Sequence, residues 1–172
     1  MDEVRFVSAT GVIGAGVSAA ALDSAMAFKP HFIAADGGTT DAGPFSLGSG
    51  EAAFPREAVK ADLAKVVAAG KAAGIPVIVG SVGTAGADRH VDWTMEIVKE
   101  ICGELGLVVR TAVIKSEQDP EHLVELLKQG RIAPLEPAPH LDVETLRRSV
   151  RIVGMMGVEP IQAALRLDVT GV

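Results

Sequence analysis

The sequence predicts an α/β fold with a mostly parallel sheet, helices on both faces and a Rossmann-like layered architecture. Short apolar runs rich in β-branched residues recur along the chain, and helical patterns separate them. Runs that are apolar on both faces and alternate with helices are typical of a parallel sheet covered on both sides. The predicted strands are VRFVSAT, HFIAAD, PVIVGS and LVVRTAVI, and RIVGMMG is a candidate for a fifth.

The first long helices have clear end signals. Pro55 is expected at the first helical position of one helix, which Gly70 and Gly74 are expected to end. A second helix is predicted from Val91, where Asp92 can accept hydrogen bonds from the exposed N–H groups of the first turn.

Three shorter helices are predicted in the second half of the chain. Asp119 is the expected N-cap of the first, Asp142 caps the second, and Pro160 begins the third. Cys102 falls on the apolar stripe of the helix that begins at Val91, which predicts a core-facing thiol rather than a nucleophile. The closing run DVTGV has the pattern of a further strand.

Length and composition favour one globular domain, 1–172, that binds a small molecule. The chain has 172 residues, of which 48% are hydrophobic, so it can bury a substantial core. Its formal charge of −6 and aromatic content of 3% argue against a nucleic-acid partner, and no run resembles a membrane span or a signal peptide. A single cysteine agrees with a reducing compartment. We therefore expect a cytoplasmic protein with no nucleic-acid or membrane partner.

A glycine-rich segment near the amino terminus matches a dinucleotide fingerprint. Gly14, Gly16 and Ala19 have the required spacing, and Asp36 lies at the distance where a ribose-binding acid belongs. The match is imperfect, because the preceding strand has already ended at Thr10. A close-packed strand-to-helix turn is the favoured explanation of the glycines.

The stretch AADGGTTDAGPFSLGSG, residues 34–50, is the first strong candidate for a site. Asp36 ends a predicted strand, and the carboxyl edge of an open α/β sheet is where ligands gather. Glycine N–H groups and threonine hydroxyls can hold a carboxylate, a phosphate or a developing oxyanion. The predicted binding residues of this loop are Gly37, Gly38, Thr39 and Thr40, and Asp41 follows them as an acid/base candidate.

The segment GSVGTAGADRHVDW, residues 80–93, repeats this layout after the next strand. If the two strands are neighbours, their ends lie about 5 Å apart and the two loops converge on one cleft. That cleft would combine Asp36, Asp41, Asp88 and His90 as catalytic candidates with Ser81 and Arg89 as substrate-binding residues.

Several chemistries fit this set of residues. Asp36 and Asp41 would suffice for a glycosidase, whereas a serine hydrolase is disfavoured because Ser81 lacks a Gly-x-Ser-x-Gly elbow. A divalent metal is an open alternative, although no ligand spacing is specific for one. Asp92 is expected to be a helix cap, and Asp41 can equally stabilise its own turn.

Three segments resemble the N-terminal part of the AtuA-like family, named for acyclic terpene utilisation. They are ADGGTTDAGPFSLGSG, GSVGTAGADRHVDWT and RSVRIVGMMGVEP, together with FPREAVKADL. The resemblance implies an enzyme of small-molecule catabolism and a chain that is the N-terminal portion of a longer protein. It implies functional positions at Asp36, Gly37, Gly38, Thr39, Thr40, Asp41, Gly43, Ser81, Asp88, His90 and Asp92. Two departures, Ala42 in place of an expected proline and Gly38 in place of a serine, bear on the rigidity of the first loop.

The favoured interpretation is a hydrolase or hydro-lyase that acts on a small polar or acidic substrate. Asp36, Asp41 and His90 would move protons, while Arg89 and the glycine N–H groups would bind the anion. The rival interpretation is a non-catalytic scaffold or subunit whose unfinished edge strand pairs with another chain. In either case a homo-oligomer is expected.

Overall fold

Within the described residues, the sheet contains three parallel strands that neighbour one another in their order along the chain. A computed structural model of the chain describes residues 3–41 and 43–167. The strands are β1 (Phe6–Ser8), β2 (Phe32–Gly38) and β3 (Val77–Thr84). The α/β fold with a parallel sheet is therefore confirmed.

Seven helices lie within the described residues. They are α1 (Ala19–Met26), α2 (Phe45–Ser49), α3 (Arg56–Ala73), α4 (Asp88–Leu105), α5 (Pro120–Lys128), α6 (Val143–Arg148) and α7 (Glu159–Leu165). Among these, α1 and α3 connect successive parallel strands, as the predicted βα alternation requires.

The core lies against one face of the sheet. Val7, Ile33 and Val77 are register partners on the three strands, and all are buried in one cluster with apolar side chains of α1, α3 and α4. Successive strand residues point to opposite faces, so Phe6 and Asp36 belong to the other face, and both are exposed. Helix packing on both faces was expected, but the helices that contribute to this cluster cover one face only.

Gly70 and Gly74 have different roles in α3. Gly74 follows the helix in the left-handed conformation, with φ +64°, as a C-cap glycine does. Gly70 lies inside the helix, where a Cβ would come within 2.3 Å of the Val77 side chain. The glycine therefore lets α3 approach β3 closely rather than ending the helix.

Two predicted strands do not form. Residues 107–114 contain no strand, and Val108 is 80% exposed. An apolar run joins a sheet only where its side chains are buried, and here they are not. Residues 151–157 contribute only an isolated antiparallel bridge between Val153 and Glu117. The predicted strand over residues 168–172 lies outside the described residues.

The helix starts agree with the sequence at α5 and α6 but not at α3 and α4. Pro55 is the N-cap of α3 rather than its first helical residue. Asp119 and Asp142 cap α5 and α6 through hydrogen bonds from backbone N–H groups. Helix α4 begins at Asp88, so Asp92 lies in its second turn and is not its cap. Cys102 packs against the core, as predicted. Within the described part of the chain, no helix combines the length and the apolar character needed to cross a membrane.

Candidate functional site

The glycine-rich loop before α1 is filled by a side chain of the protein itself. Asp62 of α3 is 2% exposed, and its carboxylate accepts hydrogen bonds from the N–H groups of Gly14 (2.9 Å), Gly16 (2.9 Å) and Val17 (2.7 Å). Converging backbone N–H groups of this kind form an anion-binding concavity. A nucleotide phosphate would have to displace Asp62, so the geometry argues against the dinucleotide interpretation.

Asp36 stands apart from the other candidates on the exposed face of the sheet. It is the register partner of Gly80, and its Oδ1 lies 3.8 Å from where a Cβ on Gly80 would be. Its carboxylate has no hydrogen-bond or ion-pair partner among residues 3–41 and 43–167. The side chain is open to solvent but is not part of an enclosed site.

Gly37 and Gly38 allow the backbones of β2 and β3 to approach closely. A Cβ on Gly37 would lie 2.7 Å from the Val82 Cα, and one on Gly38 would lie 2.1 Å from the Thr84 carbonyl oxygen. Both glycines sit at the irregularity in the register between the two strands. Packing therefore requires these glycines, whether or not they also bind a ligand.

The residues after β2 are engaged in their own turn. The Thr39 hydroxyl accepts a hydrogen bond from the Asp41 N–H (3.2 Å), and the Thr40 carbonyl accepts one from the Gly43 N–H (2.9 Å). Asp41 is exposed, and its carboxylate has no partner within the described part of the chain. The Thr39 hydroxyl thus stabilises the turn. The Asp41 carboxylate does not, so the alternative role that the sequence suggested for Asp41 is not found in the described structure.

The carboxyl end of β3 has an unusual backbone. Ser81 and Thr84 have φ values of +51° and +83°, which non-glycine residues rarely adopt, least of all a β-branched one. Thr84 is held by two hydrogen bonds, because its Oγ1 accepts from the Ala53 N–H (2.8 Å) and its carbonyl accepts from the Thr39 N–H (3.2 Å). Thr84 therefore joins the loops that follow β2 and α2 to the end of β3.

His90 is buried in the first turn of α4. The residue is 2% exposed and packs against Gly83, where a Cβ would lie 2.6 Å from the His90 Cβ. Its Nδ1 accepts a hydrogen bond from the Ala87 N–H (3.3 Å), whereas its Nε2 is shielded from solvent and has no hydrogen-bond partner in the described structure. The orientation of the ring is therefore fixed from one side only.

The electrostatic surroundings favour a neutral imidazole. Burial lowers the pKa of His90, and the nearby charges of Arg89 and Arg151 lower it further. The Gly50 backbone, whose interaction with the ring falls short of hydrogen-bond geometry, and the Glu117 carboxylate raise the pKa by smaller amounts. Because Nδ1 accepts a hydrogen bond, the proton of the neutral ring resides on Nε2. The Nε2–H of His90 thus has no acceptor with hydrogen-bond geometry in the described structure.

Asp88 and Asp92 belong to an ion-pair cluster with Lys115. The Lys115 ammonium lies 2.9 Å from one Asp92 carboxylate oxygen and 3.8 Å from Asp88. The Asp88 backbone N–H donates to the Glu117 carboxylate (3.0 Å), which thereby caps α4 from a distant part of the chain. These contacts give both aspartates a structural role at the start of the helix.

An open groove of about 590 Å³ lies between the segment after α2 and the first half of α4. We call it the His90 groove. Its lining includes Phe54, Arg56, Arg89, His90 and Trp93. A more open depression of about 430 Å³ beside α6 is lined by none of the predicted site residues.

The structure brings some predicted residues together and separates others. His90 and Arg89 share the groove, while Asp36 and Asp41 do not line it. No group of three or more histidine, cysteine, aspartate or glutamate side chains within the described ranges could hold a metal ion. The expected cleft that unites all the candidates is therefore not found.

Two structurally important residues were not predicted from the sequence, because their contacts join distant parts of the chain. Asp62 was not noticed because its partners lie 45 to 48 positions away. Arg151, which contributes to the environment of His90, donates to the carbonyls of Leu47 (3.1 Å) and Gly48 (2.8 Å). No local sequence pattern predicts either contact.

Comparison with known proteins adds no homologue. No family model, curated protein or solved structure matches the chain. The resemblance to the AtuA-like family stays a prediction, and the functional argument rests on the site itself.

Proposed function

We propose that the chain is an enzyme of small-molecule catabolism, a hydrolase or hydro-lyase that acts on a small polar or acidic substrate in the His90 groove. The observation that carries this proposal is the buried, unpaired Nε2 of His90. A buried polar group without a partner costs free energy, and a ligand oxygen that accepts from Nε2 would remove that cost.

The proposed role of His90 is that of a hydrogen-bond donor. A neutral imidazole with its proton on Nε2 can donate a hydrogen bond to a developing oxyanion on the substrate and so stabilise its charge. Arg89, which also lines the groove, would stabilise negative charge that forms on the substrate. Both hydrolysis and elimination need these two functions.

A substrate screen with paired variants tests this role. Wild type is assayed on esters, glycosides and hydroxy acids with and without a chelator. His90→Leu is expected to lower kcat by about 10²- to 10³-fold, the range for loss of one donor that stabilises an oxyanion. His90→Gln, which keeps an N–H near the Nε2 position, should retain part of the activity if hydrogen bonding alone is required. Full turnover by a folded His90→Leu variant would contradict the proposal.

A matched control and a competing site make the result specific. His122 is an exposed histidine on α5, so His122→Gln is expected to leave turnover unchanged. Asp36→Asn should also have no effect, because Asp36 does not line the groove. If Asp36→Asn instead abolishes turnover while His90→Leu does not, the chemistry lies at the exposed sheet face and the paired-carboxylate glycosidase is favoured.

The setting of this activity is part of the same proposal. The resemblance to the AtuA-like family supports a catabolic role, and we propose a cytoplasmic homo-oligomer. Light scattering coupled to size-exclusion chromatography tests the assembly, and a monomeric mass would contradict it. Absence of turnover on every substrate of the screen would favour the non-catalytic scaffold.

A further inference from the structure

Arg89 is the cation of the His90 groove whose charge is not already paired. Its side chain lies across Gly50, where a Cβ would come within 2.4 Å of the Arg89 Cδ. No ion pair or hydrogen bond engages its guanidinium among the described residues. Gly50 has φ +74°, so both its conformation and the arginine above it require glycine. The exposed guanidinium is thus held beside Gly50 without a protein partner in the described structure.

Two other charged residues that line the groove, Arg56 and Asp92, are already paired. Arg56 makes a hydrogen-bonded ion pair of 2.6 Å with Glu100, and Glu96 adds to the negative field around it. Asp92 is paired with Lys115. The carboxylates of Glu51 and Glu96 also line the groove, and neither has an ion-pair partner in the described structure. The attraction for an anion is therefore confined to the neighbourhood of Arg89.

The same groove has a fixed apolar wall. Phe54 and Trp93 both line it, and both pack against the hydrophobic core while remaining partly exposed. Aromatic side chains anchored in this way offer apolar contact area that does not have to be ordered when a ligand binds. An inorganic anion would leave this wall unused.

We propose that the His90 groove binds a small organic monocarboxylate, with the carboxylate on Arg89 and the His90 Nε2–H and the apolar body against Phe54 and Trp93. The inference rests on the proposed function only for the location of the site. A guanidinium and an N–H donor match the two oxygens of a carboxylate. Glu51 and Glu96 at the same groove disfavour a dianion such as phosphate, because like charges would be brought together.

Trp93 provides a direct measure of binding. It is the single tryptophan of the chain and lines the groove, so its fluorescence reports on ligands there. We would titrate the protein with 3-phenylpropanoate, with its uncharged analogue 3-phenylpropanamide and with inorganic phosphate. Saturable binding of the carboxylate is expected at about millimolar concentration, the affinity typical for so few atoms. The amide and phosphate are expected to bind at least about tenfold more weakly, since each lacks one part of the recognition.

Variants assign the binding to the proposed groups. Arg89→Gln is expected to weaken carboxylate binding at least about tenfold, because a charge-assisted hydrogen-bonded pair is lost. His90→Leu is expected to weaken it less, because only an uncharged donor is removed. Arg131 is an exposed arginine after α5, so Arg131→Gln serves as the control and should bind as wild type does. Circular dichroism of each variant establishes that it is folded.

The outcomes separate this inference from the proposed enzyme activity. Equal binding of carboxylate and amide, an unchanged affinity in folded Arg89→Gln, or no saturable carboxylate binding would overturn the inference, even if His90-dependent turnover of a neutral substrate were found. Conversely, Arg89-dependent carboxylate binding without turnover on any substrate would leave the inference standing and refute the proposed activity.

Discussion

Replacement of Asp62 by asparagine should destabilise the protein strongly, although the two side chains have nearly the same size. Oδ2 accepts from Gly14 and Gly16, and Oδ1 accepts from Val17 with the Lys65 ammonium 3.7 Å away. Asparagine keeps one acceptor oxygen. Whichever way its amide turns, an NH₂ group faces donors that need an acceptor.

The magnitude follows from the hydrogen bonds that are lost. A net contribution of about 1.5–3 kcal/mol is usual for a hydrogen bond to a charged group, and an unpaired buried donor costs about 1–3 kcal/mol. In the more favourable orientation of the amide, one N–H donor is left unpaired, and the other two hydrogen bonds are weakened because their acceptor is no longer charged. We therefore expect the free energy of unfolding to fall by about 2–4 kcal/mol. Such a loss is a large fraction of the stability of a typical domain, which is about 5–15 kcal/mol.

Urea denaturation followed by circular dichroism measures this loss in Asp62→Asn. Asp23 is an exposed aspartate on α1, so Asp23→Asn is the matched control and should change the unfolding free energy by less than about 0.5 kcal/mol. If the unfolding free energy of Asp62→Asn is within about 1 kcal/mol of the wild-type value, with an unchanged m-value, the carboxylate does not hold the glycine-rich loop as described.

Three further predictions concern the strand ends and α4. Gly38→Ala should lower the free energy of unfolding by more than about 3 kcal/mol, because the added Cβ would lie 2.1 Å from the Thr84 carbonyl oxygen. Gly103→Ala is the control: this site on α4 has open space around it, so the substitution should stabilise the protein by about 0.5–1 kcal/mol. Similar changes in the two variants would contradict the close approach of the strands at Gly38. Thr84→Val should lower the free energy of unfolding by about 1–3 kcal/mol, because the Ala53 N–H loses its acceptor. Thr84→Ser keeps the hydroxyl and should retain most of the stability. Equal losses in the two variants would argue against this hydrogen bond. The difference in unfolding free energy between wild type and His90→Gln should decrease as the pH falls below about 6.5 and become constant below the pKa of His90 in the folded protein. The reason is that the pKa of His90 is lowered on folding, so the unfolded chain binds the proton more readily than the folded chain. A difference that does not change with pH would refute this prediction.

Local patterns predicted the fold class and many helix ends. The βα alternation indicated a parallel sheet, and the caps at Asp119 and Asp142 were placed correctly because a capping side chain and its N–H partner lie within a few residues of each other. Strand prediction failed at residues 107–114. An apolar run shows that burial is favourable, but the rest of the fold decides whether a neighbouring strand is present to pair with it.

The candidate site was predicted in its parts but not in its grouping. Arg89 and His90 were identified from the loop after β3, and the structure places both in one groove. Asp36 was assigned to the same cleft from its position at a strand end. The alternation of side chains along β2 places it instead on the exposed face of the sheet, with Ile33 on the core face.

The sequence by itself determined the α/β class, the local caps and the residue types available for chemistry, because these depend on interactions between near neighbours in the chain. Only the tertiary structure decided that Asp62 fills the glycine-rich loop, that Glu117 caps α4 and that burial and Arg151 lower the pKa of His90. These effects join residues that are distant in the chain. They depend on where α3 and α4 pack, and that packing is set by the buried core as a whole.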